Sequence, residues 1–527
     1  MRASSILCAF ALLSAWPFPA GSASVARTSA PAALQSPTST AATRFQRWLE
    51  RLRTGRESID QRSDEELRVL FGDLRIAWGL DPGSGQEIAT LLLDFLGWCG
   101  PVASFDGATS PTAEARSRAL EAFEAHIDPE FLRWLSRDVL ALGSQPIERR
   151  VAAVAVLAGR REATILLPLL SCARESDPRL RTGALEALVG WEDESVHVLF
   201  LEELARALAG DRGAMSWLAE AHFSAVVLPP ASPIAQKLTE LAKRGLASSD
   251  WREVSRALAL TKGVDNDSIL PFLIETLGRW KAKQEAGAQA LRVEMEVLRT
   301  LEARSGRKLG TDPATWSEWW RAVRTGKVRV PQTGAVREST RASFFGLKPA
   351  TDRVTFVIDR SGSMAATLAV TTGKQTRTRW EESVEQLMGF VDAIGEKARF
   401  GIVIFHDFPE EWRPRLEPAT PENKKSARAW LAANHPNGGT QLQSGVLRAL
   451  RIGPDGMPDL ALLEADTVIV LCDGETAEGP DWVEGFLHRA NLRARVVFHC
   501  VQVGAEGDGT LQKLASGSGG DFVKVDG

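Results

Sequence analysis

The chain has 527 residues, too many for a single hydrophobic core, so at least two domains are expected. Hydrophobic residues supply 44% and charged residues 25%, the balance of a soluble globular protein. A formal charge of -4 gives no electrostatic basis for binding nucleic acid or an anionic membrane surface.

The N-terminus reads as a secretory signal peptide over residues 1–23. Arg2 gives the positive end, Ile6 to Trp16 the apolar run, and Pro17 and Pro19 break any helix before small residues from Gly21 to Ala26. The apolar run is shorter than the roughly 20 residues a bilayer span needs. Export to a periplasmic, envelope or extracellular location is therefore expected. Residues 24–42 are mostly Ala, Ser, Thr and Pro with little to bury, and read as a flexible linker. Cys99, Cys172, Cys472 and Cys500 are too widely and irregularly spaced for a disulfide framework or a zinc site. Buried thiols are expected, with a Cys99–Cys172 bridge left open.

Residues 43–325 carry helical periodicity throughout. Ser63 and Glu66 form a capping box, and Asp177 with Pro178 marks another helix start. The paired helices around 147–209 resemble HEAT-type repeats, in which neighbours stack because neither helix alone buries its apolar face. The pattern degrades after Ala209, and an irregular helical bundle is the alternative. Thr311 or Asp312 caps the last helix, Pro313 opens it, and Trp316, Trp319 and Trp320 share one face as a plug for the end of the stack. Residues 326–342 lose periodicity and read as a second linker.

From 343 to 527 strands and helices alternate, which predicts an α/β, doubly wound, mostly parallel sheet. "RVTFVIDRS", "ARFGIVIFHD", "DTVIVLCDGE", "ARVVFHCVQVG" and "DFVKV" read as strands. The first ends in Asp359-x-Ser361-x-Ser363, Thr440 follows two glycines, and Asp473 ends the strand before Gly474. This order resembles the von Willebrand factor type A domain, and the five residues match that family's metal-ion-dependent adhesion site. In a doubly wound sheet ligands bind beyond the carboxyl ends of the strands, where strand order reverses. Asp359 and Asp473 should therefore meet at one crevice, with Thr440 approaching from the side.

Oxygen-only ligands select a hard divalent cation, Mg²⁺ first, with Mn²⁺ or Ca²⁺ as alternatives. The resemblance implies direct ligation by Ser361 and Ser363. Thr440 would bind directly or through water, and Asp359 and Asp473 mainly through hydrogen bonds and water. It further implies a vacant metal position filled by an Asp or Glu carboxylate of a protein partner. Gln441 stands where many relatives carry Asn, and Arg360, between the ligands, is expected to be solvated. His406 and Asp407 are expected near the rim. No HExxH, G-x-S-x-G elbow, phosphate loop or dinucleotide fingerprint occurs, so no enzyme is expected. An exported, metal-dependent adhesion or interaction protein is the leading reading. The other is an envelope-associated scaffold that binds mainly through its helical repeats, with the metal purely structural.

Overall fold

A computed structural model describes residues 37–59, 62–80, 85–99, 111–124, 126–141, 143, 145–287, 289–326, 342–368, 377–453, 456–474, 476–504 and 507–525. The expected signal peptide and nearly all of the second linker lie outside the described residues. The first helix, Pro37–Arg53, begins inside the stretch expected as linker. Phe45, Trp48, Leu49 and Leu52 give it a buried face, so its upstream turn is drawn into the helix.

Helices fill the described residues up to Arg324, and their starts follow local chemistry. Ser63 and Glu66 exchange side-chain and backbone hydrogen bonds as a capping box. Asp177 accepts from the Arg179 and Leu180 amides ahead of Pro178–Leu188. Asp312, rather than Thr311, caps the helix Pro313–Arg324. Trp316 is fully buried and meets Trp319 edge-on at 5.8 Å, closing the end of the stack.

The stacking continues well beyond Ala209, where the sequence repeat fades. One layer runs through Gly85–Cys99, Ile147–Leu157, Pro178–Leu188, Ser216–Ala225, Trp251–Leu260 and Leu291–Ser305, each packed on the next. A second layer runs through Glu194–Leu208, Pro233–Leu246, Asn266–Glu285 and Pro313–Arg324. Two layers of antiparallel neighbours are what a helical repeat needs to bury a continuous core. Cys99 and Cys172 are free, not bridged. The Cys172 thiol lies instead against Leu140 O and the Arg150 guanidinium. No described helix is long and apolar enough to cross a membrane.

The sheet comprises β1 (Arg353–Asp359), β2 (Arg399–Phe405), β3 (Pro409–Glu411), β4 (Glu417–Pro418), β5 (Thr467–Cys472), β6 (Val497–Val503) and β7 (Phe522–Val525). Its order is β3-β2-β1-β5-β6-β7, with β4 also on β2. All pairings are parallel except β3 and β4, which run antiparallel to β2 and were not expected. The central strands are buried on both faces. In β1, Phe356 and Ile358 enter one core and Val357 the other, following the two-residue period of a strand.

The helical layers dock on the amino-terminal ends of these strands. Asp352, just before β1, accepts the amides of Ala290 and Leu291 and so caps the helix Leu291–Ser305 from outside. Arg292 donates to Asp466 O ahead of β5, and Arg252 to Leu463 O and Ala494 O. Arg495, ahead of β6, pairs with Glu220 and donates to Ser255. These contacts tie the helical layers to the segments that lead into β1, β5 and β6.

Candidate metal centre

The opposite end of the sheet holds the candidate site. β1 and β5 are parallel neighbours with Ile358 opposite Leu471, so both chains leave the sheet side by side at Asp359 and Asp473. Ligand atoms of Asp359, Cys472 and Asp473 lie within 4.8 Å of one another. Asp359 is fully buried. One of its oxygens accepts the Ser361 amide at 2.7 Å and the other accepts the Cys472 thiol at 3.2 Å. Burial pushes its carboxyl up to about 6, with the Asp473 charge adding to it and the Ser361 hydrogen bonds opposing. Burial, then the charge of Asp359, pushes the Cys472 thiol up as well, so it stays a neutral donor.

Ser361 is buried and Ser363 exposed, on a short 3-10 turn from Gly362 to Ala365, and their hydroxyls lie 2.9 Å apart. The turn carrying Thr440 is tied to both strand ends. The Gly362 amide donates to Gly438 O at 3.1 Å, and the Ala477 amide to Thr440 O at 3.0 Å. Gly438 has φ 74, and a Cβ there would sit 2.5 Å from Asp407 Oδ2, so only glycine fits. Thr440 is half-buried, and among the described residues its hydroxyl has no hydrogen-bond partner. Asp359, Ser361, Ser363 and Asp473 are thus gathered at adjacent strand ends, with the Thr440 turn held between their two loops.

Two neighbours differ from expectation. Arg360 is not solvated: its side chain is 9% exposed, pairs with Glu410 at 2.7 Å and donates to His435 O. The unexpected antiparallel β3 carries Glu410 back to it. Arg379 was missed altogether. Its Nη1 lies 3.2 Å from Asp473 Oδ2, across 94 positions of sequence, and nothing in the local pattern around Thr378 signals that contact. His406 is buried at the rim, near Asp407 and Glu410, beside exposed Phe408.

Two carboxylates and a pair of hydroxyls, with the thiol kept protonated, form a donor set suited to a hard divalent cation. Packing two acidic groups together under burial is unfavourable unless a positive charge offsets it.

The model of the von Willebrand factor type A domain matches residues 354–526. Human inter-alpha-trypsin inhibitor heavy chain H4 is 29% identical over 181 residues, covering 33% of this chain and 18% of that protein. Heavy chain H1 of Mesocricetus auratus is 31% identical over 144 residues, covering 26% and 14%. The chain therefore spans under a fifth of the length of these relatives. Among solved structures, a von Willebrand factor type A protein from Catenulispora acidiphila is 19% identical, covering 34% of this chain and 39% of that chain, with a TM-score of 0.27. The conserved hypothetical protein BatB from Bacteroides thetaiotaomicron is 20% identical, covering 33% and 89%, with a TM-score of 0.26. Residues 354–526 are a von Willebrand factor type A domain, set on an N-terminal region of stacked helices.

Proposed function

We propose that the chain is an exported, non-enzymatic binding protein that holds a divalent cation, Mg²⁺ in the first instance, and through it grips an acidic side chain of a protein partner. Ser361 and Ser363 would ligate the cation directly, and Thr440 directly or through water. Asp359 and Asp473 would act through hydrogen bonds and water. When bound, the cation offers a Lewis-acidic position to a partner's carboxylate oxygen. The protein's own residues do the rest. Asp359 fixes the Ser361 backbone, Arg379 orients Asp473, and the Gly438 turn brings in Thr440.

The observation that carries this reading is the convergence of Asp359 and Asp473 beside two mutually bonded serine hydroxyls, at the end of the sheet that the helical layers leave uncovered. Calorimetric titration of the full chain tests it. Mg²⁺ or Mn²⁺ should bind, and Asp473→Asn should weaken binding about 10–100-fold, as loss of an orienting partner does at metal sites. Absence of binding heat for either cation would refute the reading.

A further inference from the structure

We infer that Arg379 sets the charge preference of this centre, making the loaded site a receptor for a singly charged oxygen anion such as a side-chain carboxylate. The inference rests on the metal-dependent reading above and names the residue that gives it specificity.

Arg379 is held firmly in place. It is the first residue of the helix Arg379–Ala393, whose start is fixed by a complete capping box between Thr378 and Glu381. From there its guanidinium reaches the ends of β5 and β6. Nη1 donates to Asp473 Oδ2, and Nη2 lies 3.1 Å from where a Cβ on Gly504 would stand. Gly504 has φ 135, so the end of β6 is both open enough and suitably bent to admit it. Among the described residues Asp473 is the guanidinium's only hydrogen-bond partner, and Nε is buried without one. The side chain is nonetheless 22% exposed, so part of its donor fork faces solvent at the mouth.

The charge count gives this placement its consequence. Asp359 and Asp473 together balance one divalent cation. Among the described residues Arg379 is the cationic side chain bonded to this acid pair, so it would add a positive charge at the mouth of the loaded site. Among the described residues nearby, Arg360 is paired with Glu410 and Arg377 with Glu382. A neutral carbonyl or hydroxyl could fill a metal position and accept from the guanidinium, but an anion makes the stronger, charge-assisted pair.

The test uses the full chain loaded with Mn²⁺. Free Mn²⁺ is followed by electron paramagnetic resonance, and acetate or neutral acetamide binding by water-proton relaxation. Arg379→Gln should tighten Mn²⁺ about threefold or more, because a like charge is removed. The same variant should weaken acetate about tenfold and leave acetamide within about twofold. Arg379→Lys, which keeps the charge, should restore acetate binding to within about threefold of wild type. Equal loss of acetate and acetamide, or no change in either, would make Arg379 a mere brace and overturn the inference. If wild type fails to retain Mn²⁺, the metal-dependent reading itself falls, before any variant is compared. Circular dichroism reports folding. Should the Gln variant not fold, the Lys variant decides: retained preference for acetate over acetamide supports the inference, and its loss overturns it.

Discussion

Replacing Asp359 by Asn measures what burial costs at the metal centre. The carboxyl is 0% exposed and pushed from an ordinary 3.8 up to about 6. At roughly 1.4 kcal/mol per pKa unit, that shift opposes folding by about 3 kcal/mol once both states are ionised. The sign follows from proton counts. Between 3.8 and about 6 the folded protein holds a proton that the unfolded chain has released, so stability falls as pH rises through this window and then levels off. Asparagine keeps the shape: its oxygen can still accept the Ser361 amide, and its amide can turn toward the Cys472 sulfur.

In EDTA at pH 8, Asp359→Asn should therefore be more stable than wild type by up to about 3 kcal/mol in urea unfolding. The advantage should shrink to nearly nothing by about pH 4, where wild type carries the proton itself. Asp466 is also raised to about 6, by burial and the neighbouring Asp352 charge, so it adds to the wild-type pH slope. It is common to both proteins and cancels in the difference. With Mg²⁺ at a hundred times its Kd the gap should nearly close, because the ligand stabilises only the protein that binds it, by about 2.7 kcal/mol. A variant no more stable than wild type in EDTA at pH 8 would refute the reasoning.

Three further outcomes are expected. Arg495→Ala leaves Glu220 buried without its main partner and should destabilise the chain by about 3–5 kcal/mol, while Arg495→Met with Glu220→Met should recover most of the loss. Urea unfolding of the single and double variants checks it. Trp316→Ala opens a cavity at the closed end of the helical stack and should cost about 3–5 kcal/mol in thermal unfolding, without altering Mn²⁺ affinity. Native protein at pH 8 should resist iodoacetamide at Cys99, Cys172 and Cys472, because burial pushes the Cys99 thiol up to about 12 and the Cys172 thiol up to about 11, and raises Cys472 as well. Mass spectrometry should show these sites alkylated only after denaturation.

What was legible in the sequence was what depends on neighbours along the chain. The four long strands declared themselves as apolar runs and the short β7 by the alternating FVKV, while the caps at Ser63, Asp177 and Asp312 showed as short polar signatures. β3 and β4 did not, because strands of three and two residues that include Pro409 and Pro418 have neither length nor periodicity to show. That omission propagated to Arg360, whose partner Glu410 sits on β3. Asp359 and Asp473 could be placed together because parallel strand order brings chain ends into register. Arg379 could not, since a helix start gives no clue to what its side chain meets across the sheet. The arginines of the docking surface, Arg252, Arg256 and Arg292, were equally silent. Each falls in an amphipathic helix where a solvated charge would look the same, yet all three are buried.

The two ends of the sheet have opposite fates, and that asymmetry bears on how the molecule works. Backbone carbonyls of the segments that lead into β5 and β6 accept from arginines of the helical layers. Carbonyl acceptors recruit guanidinium donors without needing a carboxylate, so the contact is made largely by geometry and not by balancing charge. Glu220, one of the acids at this surface, is matched by Arg495. The helices that cover a base bonded in this way cannot serve as a slack tether. At the other end, the acids of β1 and β5 face one another, and among the described residues Arg379 is the one cationic side chain paired with them. Negative charge and, among the described residues, an unpartnered Thr440 hydroxyl are concentrated there, so under the proposed metal-dependent reading a cation would enter from the end opposite the described helical layers.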